Sequence, residues 1–304
     1  MTLTDLRYIV ALAREHHFGR AAEKCFVSQP TLSVAVKKLE DELGVTLFER
    51  TPQEVRVTGI GLRVVAQAER VLTEAALVQE IAAAGKDPLT GPLRLGVIYT
   101  IGPWLLPRLV PLLKERAPAM PLLIEENFTH RLVEKVKAAE LDLIVIALPL
   151  AEPGLVAQPV YDELFRTLVP ASHPWAKEAS VDPHRLLEQP LLMLGSGNCF
   201  RDQVLDLCAS VGHGNPQVLE GGSLETIRHM VASGVGVTVM PASAVDTLPP
   251  DDALLCARPF CDPQPMRRVG LVWRVSYPRH QAVDVVRRTL LDCNLPGTQP
   301  VQAA

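Results

Sequence analysis

Near its amino terminus the chain reads Phe18-Gly-Arg-Ala-Ala-Glu-Lys-Cys-Phe-Val-Ser-Gln-Pro-Thr-Leu-Ser33. A short helix follows Phe18, a break falls at residues 25–27, and a new helix begins at Ser28, a favourable N-cap residue with Pro30 tolerated in the first turn. Upstream, apolar residues between positions 3 and 13 recur at helical spacing. Downstream, residues 47–57 are typical of two short strands around Thr51-Pro52-Gln53. We therefore predict a winged helix-turn-helix domain over residues 1–58.

A long helix is predicted to follow this domain. From residue 61 to residue 84 there is no proline, and apolar residues alternate at spacings of four and three, which is the pattern of a coiled-coil seam. They are Val64, Ala68, Val71, Ala75, Val78 and Ala82. The run Lys86-Asp-Pro-Leu-Thr-Gly-Pro92 has the composition of a hinge. Residues 59–90 are thus predicted to form a dimerisation helix and a linker.

The remaining chain, residues 91–304, is predicted to be an α/β domain with two lobes. Buried-type strands at 93–98, 122–126 and 141–148 alternate with a helix at 104–116, and a similar alternation returns between residues 189 and 240. Such paired lobes usually bind ligands in the cleft between them, where strands end and helices begin.

Composition leaves the class of partner open but limits the compartment. The net charge is −4, and no apolar run approaches the roughly 20 residues that a membrane helix requires. The amino terminus lacks the pattern of a secretion signal, so we expect a cytoplasmic protein that does not contact a membrane. Six cysteines without a CxxC pair give no disulfide scaffold, and His213, His229 and His280 lack metal-ligand spacing. We assign no metal and no cofactor.

The second helix of the predicted helix-turn-helix carries residue types suited to DNA. Short polar side chains near its amino end suit base edges, and cations suit phosphates. The candidates are Ser28, Gln29, Pro30, Thr31, Ser33, Lys37 and Arg50, with Lys38 and Arg56 as further cations. Residues 1–58 contain as many acidic as basic residues, so a small helical domain that binds protein is the competing interpretation.

Taken together, these segments resemble LysR-type transcriptional regulators. The resemblance rests on residues 18–33, on Lys38-Leu-Glu-Asp-Glu-Leu-Gly44 and on Leu47-Phe-Glu-Arg50, and the order of domains agrees over nearly the whole chain. It implies that Gln29, Pro30 and Ser33 lie against the major groove and that Arg50 lies near phosphate. It also implies homodimers and homotetramers on double-stranded operator DNA.

Two cysteines, Cys199 and Cys208, suggest what the regulatory domain detects. Cys199 follows Gly195-Ser-Gly-Asn198 at a predicted helix start, which favours a thiolate, and Arg201 adds a cation close in sequence. A thiolate that attacks peroxide becomes a sulfenic acid, which a second thiol converts to a disulfide. Nine helical residues separate the sulfurs by roughly 13.5 Å along the axis, so this disulfide requires the helix to rearrange. Two inert, buried cysteines are the alternative interpretation.

A more specific resemblance favours the first interpretation. Cys199-Phe-Arg-Asp-Gln with Cys208, and the segments 97–107, 223–232 and 236–241, are similar to the peroxide-sensing branch of LysR-type regulators. The resemblance implies that Cys199 is the peroxidatic and Cys208 the resolving cysteine of a regulator of antioxidant genes. It places Thr100, Thr129, Asn198, Asp202 and Arg267 at the peroxide pocket. It further implies RNA polymerase and a cellular thiol reductant as partners.

One residue differs from the pattern of this branch and leaves a second function of the regulatory domain open. The branch commonly has His directly before the reactive cysteine, whereas this chain has Asn198, which carries no positive charge. The alternative is a LysR-type regulator that binds a small metabolite in the cleft through Thr100, Thr129 and Ser223. A third possibility is a thiol peroxidase, although a DNA-binding domain argues that the protein is not an enzyme.

Overall fold

A computed structural model describes residues 1–50, 55–84, 87–211, 217–249 and 252–301. The chain divides into two compact units, Met1–Lys86 and Asp87–Ala304. The predicted turn at Thr51-Pro52-Gln53, the predicted hinge residue Lys86 and the side chains of Arg50 and Ala82 lie outside the described residues. In the part of the chain that is described, no helix is both long and apolar enough to cross a membrane.

The first unit is a helical domain with a two-stranded wing. Its elements are α1 (Leu3–Glu15), α2 (Phe18–Lys24), α3 (Gln29–Leu43), β1 (Phe48–Arg50), β2 (Val55–Val57) and α4 (Gly59–Ala84). The Ser28 hydroxyl accepts a hydrogen bond from the Thr31 amide at 3.3 Å, and the helix ends at Gly44 in the left-handed region. The predicted start of α3 and the predicted winged helix-turn-helix are confirmed.

A half-buried carboxylate contact joins the wing to α3. Strands β1 and β2 pair antiparallel, with Phe48 opposite Val57. Glu40 Oε1 accepts hydrogen bonds from the amides of Leu47 at 2.7 Å and Phe48 at 3.0 Å. Because Glu40 lies on α3 and both amides lead into β1, the helix and the wing are held in a defined relation.

The predicted apolar seam lies on helix α4 and has two parts that differ in burial. Val64 and Ala68 pack on the core of their own unit, beneath α1. Val71 and Val78 are exposed, at 38% and 66%. The amino-terminal half of the seam therefore belongs to the core of the first unit, which the heptad pattern alone did not distinguish from a dimer contact.

The second unit contains two α/β lobes joined by long strands. The first lobe has β3 (Leu93–Ile98), α5 (Gly102–Arg116), β4 (Leu122–Asn127), α6 (Thr129–Lys137) and β5 (Leu143–Leu148), and β6 (Leu155–Pro170) follows. The second has 3-10 turns at Pro174–Lys177 and Pro183–Glu188, then β7 (Leu191–Leu194), α7 (Cys199–Val211), β8 (Val218–Gly221), α8 (Leu224–Ala232), β9 (Val237–Pro241), α9 (Ala242–Val245) and β10 (Leu255–Pro259). The chain returns through β11 (Met266–Arg274), α10 (His280–Asp292) and β12 (Thr298–Pro300).

Strand β6 is the element that both lobes share. The sheet order is β4-β3-β5-β11-β6-β9-β7-β8, with parallel pairing inside each lobe. Residues 155–164 of β6 pair antiparallel with β11, and residues 165–170 pair with β9 and β10. A separate apolar core lies in each lobe. The predicted two-lobed α/β fold is confirmed, while β6, β11 and α10 were not predicted.

Candidate functional site

Three helix starts meet at a small cavity between the two lobes. The ends of β3 and β4 and the loop before α7 line it with Ile98, Tyr99, Thr100, Asn127, Phe128, Thr129, Gly197, Asn198 and Cys199. It is large enough for about one water-sized molecule. Unpaired backbone amides at helix starts favour small electronegative groups, and the carboxyl ends of parallel strands are the usual place for a ligand in such sheets.

Cys199 occupies the first position of α7 and faces the opposite lobe. Its side chain is half-buried and packs against the core of the first lobe, although α7 belongs to the second. The carbonyl of Asn198 accepts hydrogen bonds from the amides of Arg201 at 3.0 Å and Asp202 at 3.4 Å, which starts the helix. Asn198 Nδ2 donates to the Gly195 carbonyl at 3.0 Å. The loop thus holds the Cys199 sulfur at the cavity wall.

Thr129 supplies a buried hydroxyl whose hydrogen bonds are not satisfied by the described residues. Its Oγ1 is shielded from solvent and has no hydrogen-bond partner among the described residues. Burial of an unpaired hydroxyl destabilises a protein by about 1–3 kcal/mol. Because Thr129 lines the same cavity as Cys199, the hydroxyl is available to a small molecule held there.

A fully buried ion pair holds Thr100, the second hydroxyl of the cavity. Arg267 Nη1 donates to Thr100 Oγ1 at 2.9 Å, and Nη2 donates to the Thr100 carbonyl at 2.8 Å. Arg267 Nε donates to Glu163 Oε2 at 2.7 Å, and Glu163 Oε1 accepts from the Ser243 amide at 3.2 Å. Since Thr100 Oγ1 accepts from Arg267, its own proton is left for another acceptor.

Cys208 lies in a different environment from Cys199. It is 5% exposed and belongs to the core of the second lobe. Burial raises the pKa of the Cys208 thiol, because the thiolate is poorly solvated there. Both residues lie on α7, separated by roughly 13.5 Å along the helix axis. Intact α7 therefore keeps the two thiols in two separate cores.

The candidate DNA-binding residues lie on or beside α3. Gln29, Pro30 and Lys37 are exposed, and Ser33 is half-buried. The hydroxyls of Ser28 and Thr31 are exposed and lie 2.8 Å apart, so they cap the helix as well as face solvent. The Arg50 side chain lies outside the described residues.

Family models match both units of the chain. Residues 3–62 match the bacterial regulatory helix-turn-helix protein model of the lysR family, and residues 86–293 match the LysR substrate binding domain. The second match alone spans more than half of the chain. The chain belongs to the LysR family.

Several LysR-family relatives cover nearly all of the chain. The DNA-binding transcriptional dual regulator OxyR of Escherichia coli K12 is 40% identical over 278 residues, which are 91% of each chain. A hydrogen peroxide-inducible genes activator of Pectobacterium carotovorum is 39% identical over 291 residues, covering 94% of this chain and 96% of the relative.

Solved structures of LysR-family proteins are also similar to this chain. Full-length OxyR C199D from Pseudomonas aeruginosa is 52% identical with a TM-score of 0.79, over 100% of this chain and 99% of that one. An H2O2-bound OxyR mutant from Corynebacterium glutamicum is 33% identical with a TM-score of 0.65, over 96% of this chain and 92% of that one.

In this LysR-family protein the cavity brings together four of the residues expected at the peroxide site. The four are Thr100, Thr129, Asn198 and Cys199. Arg267 does not line the cavity but donates a hydrogen bond to Thr100. Asp202 is exposed in the first turn of α7 and is not among the lining residues.

Two side chains near the site differ from sequence-based expectation. The guanidinium of Arg201 donates to Glu220 at 2.7 Å and to the Leu194 carbonyl at 2.8 Å, so its charge is already paired. Glu163, which balances Arg267, was missed because the two residues are 104 positions apart. Its presence follows from the burial of Arg267, because a buried arginine requires an acidic partner.

Proposed function

We propose that the protein is a hydrogen peroxide-sensing, sequence-specific DNA-binding transcriptional regulator of antioxidant genes, switched by a reversible Cys199–Cys208 disulfide. The observation that carries the proposal is a water-sized cavity with the Cys199 side chain and an unpaired Thr129 hydroxyl on its wall. The relatives named for hydrogen peroxide and the H2O2-bound structure support the same function.

The proposed chemistry proceeds in two steps. The Cys199 thiolate attacks one peroxide oxygen, the O–O bond breaks, and the departing hydroxide takes a proton and leaves as water. The Thr129 and Thr100 hydroxyls stabilise negative charge on the departing oxygen by donating hydrogen bonds. The Cys208 thiol then attacks the sulfenic sulfur and releases a second water. Overall, two thiols and one peroxide give one disulfide and two waters.

The second step requires α7 to change shape. A disulfide needs Cα atoms within about 7 Å, whereas nine helical residues separate them by roughly 13.5 Å. Disulfide formation therefore unwinds α7 and withdraws at least one sulfur from its core. The covalent bond exceeds the few kcal/mol that hold a short helix. We propose that this repacking of the second lobe is the signal.

The DNA-binding part of the proposal assigns roles to the domains. Residues 1–58 bind operator DNA, residues 59–90 contain the dimerisation helix and hinge, and residues 91–304 sense peroxide. The contacts are made by Ser28, Gln29, Pro30, Thr31, Ser33, Lys37 and Arg50. The exposed carboxyl-terminal seam of α4, at Val71 and Val78, supports a homodimer, two of which form a homotetramer. RNA polymerase and a cytoplasmic thiol reductant complete the cycle.

The test is a map of cross-linked peptides. The reduced protein receives one equivalent of hydrogen peroxide, is quenched with an alkylating agent and is digested with trypsin. Cleavage after Arg201 separates Cys199 from Cys208. We expect a link between these two cysteines that is absent from Cys199→Ser and unchanged in Cys261→Ser, which removes an exposed cysteine. Two alkylated, unlinked thiols in the wild type would contradict the proposal.

One contact in the structure and one measurement of peroxide consumption distinguish the competing functions. Of the donors that a metabolite site would use, the Ser223 hydroxyl already caps α8 by accepting from the Thr226 amide at 3.1 Å. A thiol peroxidase consumes many equivalents of peroxide when a dithiol is supplied. We expect a sensor to consume about one equivalent of peroxide per protein molecule over the same period.

A further inference from the structure

The exposed face of α3 has an apolar residue at its centre. Leu32, Val36 and Leu39 form the buried stripe of this helix, at 1% exposure or less. At about 100° per residue, the opposite face contains Pro30, Val34 and Lys37. Val34 is 68% exposed and does not belong to the core of its unit.

Helix stability does not account for Val34. A β-branched residue on an exposed helix surface is a weaker helix former than alanine and buries little apolar area there. The same stiffness is useful in recognition, because a side chain with one preferred rotamer loses little entropy on contact. Val34 therefore has the properties of a contact residue for an apolar group outside its own unit.

The surrounding charges identify the partner. Lys37 and Lys38 are exposed one turn further along α3, and the hydroxyls of Ser28 and Thr31 are exposed at its start. This combination suits the major groove, with cations for phosphates at the edges. Within that groove, thymine alone presents a methyl group.

We propose that Val34 is a specificity-determining residue that selects thymine by packing against its C5-methyl group. The inference rests on the proposed DNA-binding function and adds the base that this position reads. Val34 was not among the residues expected to contact DNA, because its side chain offers neither a hydrogen bond nor a charge.

The test compares thymine with deoxyuridine, which lacks only the methyl group. A duplex is first selected from a randomised pool with the reduced, full-length protein. Each thymine of this duplex is then replaced singly by deoxyuridine, and the dissociation constant is measured by fluorescence anisotropy at fixed salt. We expect about a fourfold loss at one thymine of each half-site, which corresponds to ~0.8 kcal/mol for one buried methyl group.

Two variants show whether Val34 makes the contact. In Val34→Ala the thymine and deoxyuridine duplexes should bind equally at that position; the variant folds because alanine is the better helix former on an exposed face. Lys38→Ala is the matched control, and it should weaken binding to both duplexes while preserving their ratio.

The outcomes separate the inference from the proposed function. If no duplex is enriched, sequence-specific DNA binding is wrong and the role of Val34 falls with it. If a duplex is enriched but deoxyuridine never weakens binding, or if Val34→Ala retains the same deoxyuridine sensitivity, DNA recognition stands and the thymine contact is wrong.

Discussion

Replacement of Thr129 by valine should make the protein more stable and less reactive. The two side chains have nearly the same shape, so the substitution removes the unpaired buried Oγ1 and little else. An unsatisfied buried hydroxyl costs about 1–3 kcal/mol, and this amount should appear as added free energy of unfolding. Loss of one hydrogen bond to a charged group, about 1.5–3 kcal/mol, should slow oxidation of Cys199 by roughly 10- to 150-fold.

Stability is measured by urea denaturation with tryptophan fluorescence. All three tryptophans, Trp104, Trp175 and Trp273, lie in the second unit, so the signal reports on the unit that contains Thr129. The rate of Cys199 oxidation is measured with hydrogen peroxide in a stopped-flow instrument under excess peroxide.

Thr238→Val is the matched control. Thr238 is 1% exposed, and its hydroxyl donates to the Leu192 carbonyl at 2.7 Å, so the substitution removes a buried hydrogen bond that the wild type makes. This variant should lose about 1–3 kcal/mol and keep the wild-type rate of oxidation. If Thr129→Val is destabilised to the same extent, or oxidises at the wild-type rate, the role argued for its hydroxyl is wrong.

Three further substitutions test other parts of the site. Asn198→His should speed Cys199 oxidation below the histidine's own pKa, because it adds a positive charge beside the thiolate, and equal stopped-flow rates would contradict this. Cys208→Ser should accumulate the sulfenic acid, detectable by dimedone labelling, without an intramolecular disulfide. Burial raises the pKa of Glu126, so its stabilising contribution is full below 4.5 and is lost as pH rises through the folded-state value. Glu126→Gln should therefore match the wild type in urea at pH 4 and exceed it at pH 7; equal midpoints at both pH values would exclude this linkage.

Local signals were sufficient to predict much of the fold. The N-cap at Ser28, the break before it and the strong apolar run of β3 depend on residues adjacent in sequence. The same is true of the start of α7 at Cys199, which places this thiol at a helix terminus as expected. Such features are encoded by capping and periodicity, which act over a few residues.

Long-range contacts account for what was missed. In β6 the inward positions include Glu163 and Thr167, so apolar alternation does not identify this strand. Both side chains are satisfied by partners distant in sequence, Glu163 by Arg267 and Thr167 by the Thr238 carbonyl. The partners of the cavity residues are likewise set by the packing of the two lobes, which no local pattern encodes.

The shared strand β6 also determines how the sensing unit folds. Residues 155–164 pair with β11 on the side of the first lobe and residues 165–170 pair with β9 and β10 on the side of the second, so removal of β6 would leave unpaired strand edges in both lobes. Neither lobe is then an independent folding module, and a fragment containing one lobe alone should aggregate rather than fold. We therefore expect the two lobes to unfold in one cooperative transition, so that damage to either lobe inactivates the whole sensing unit.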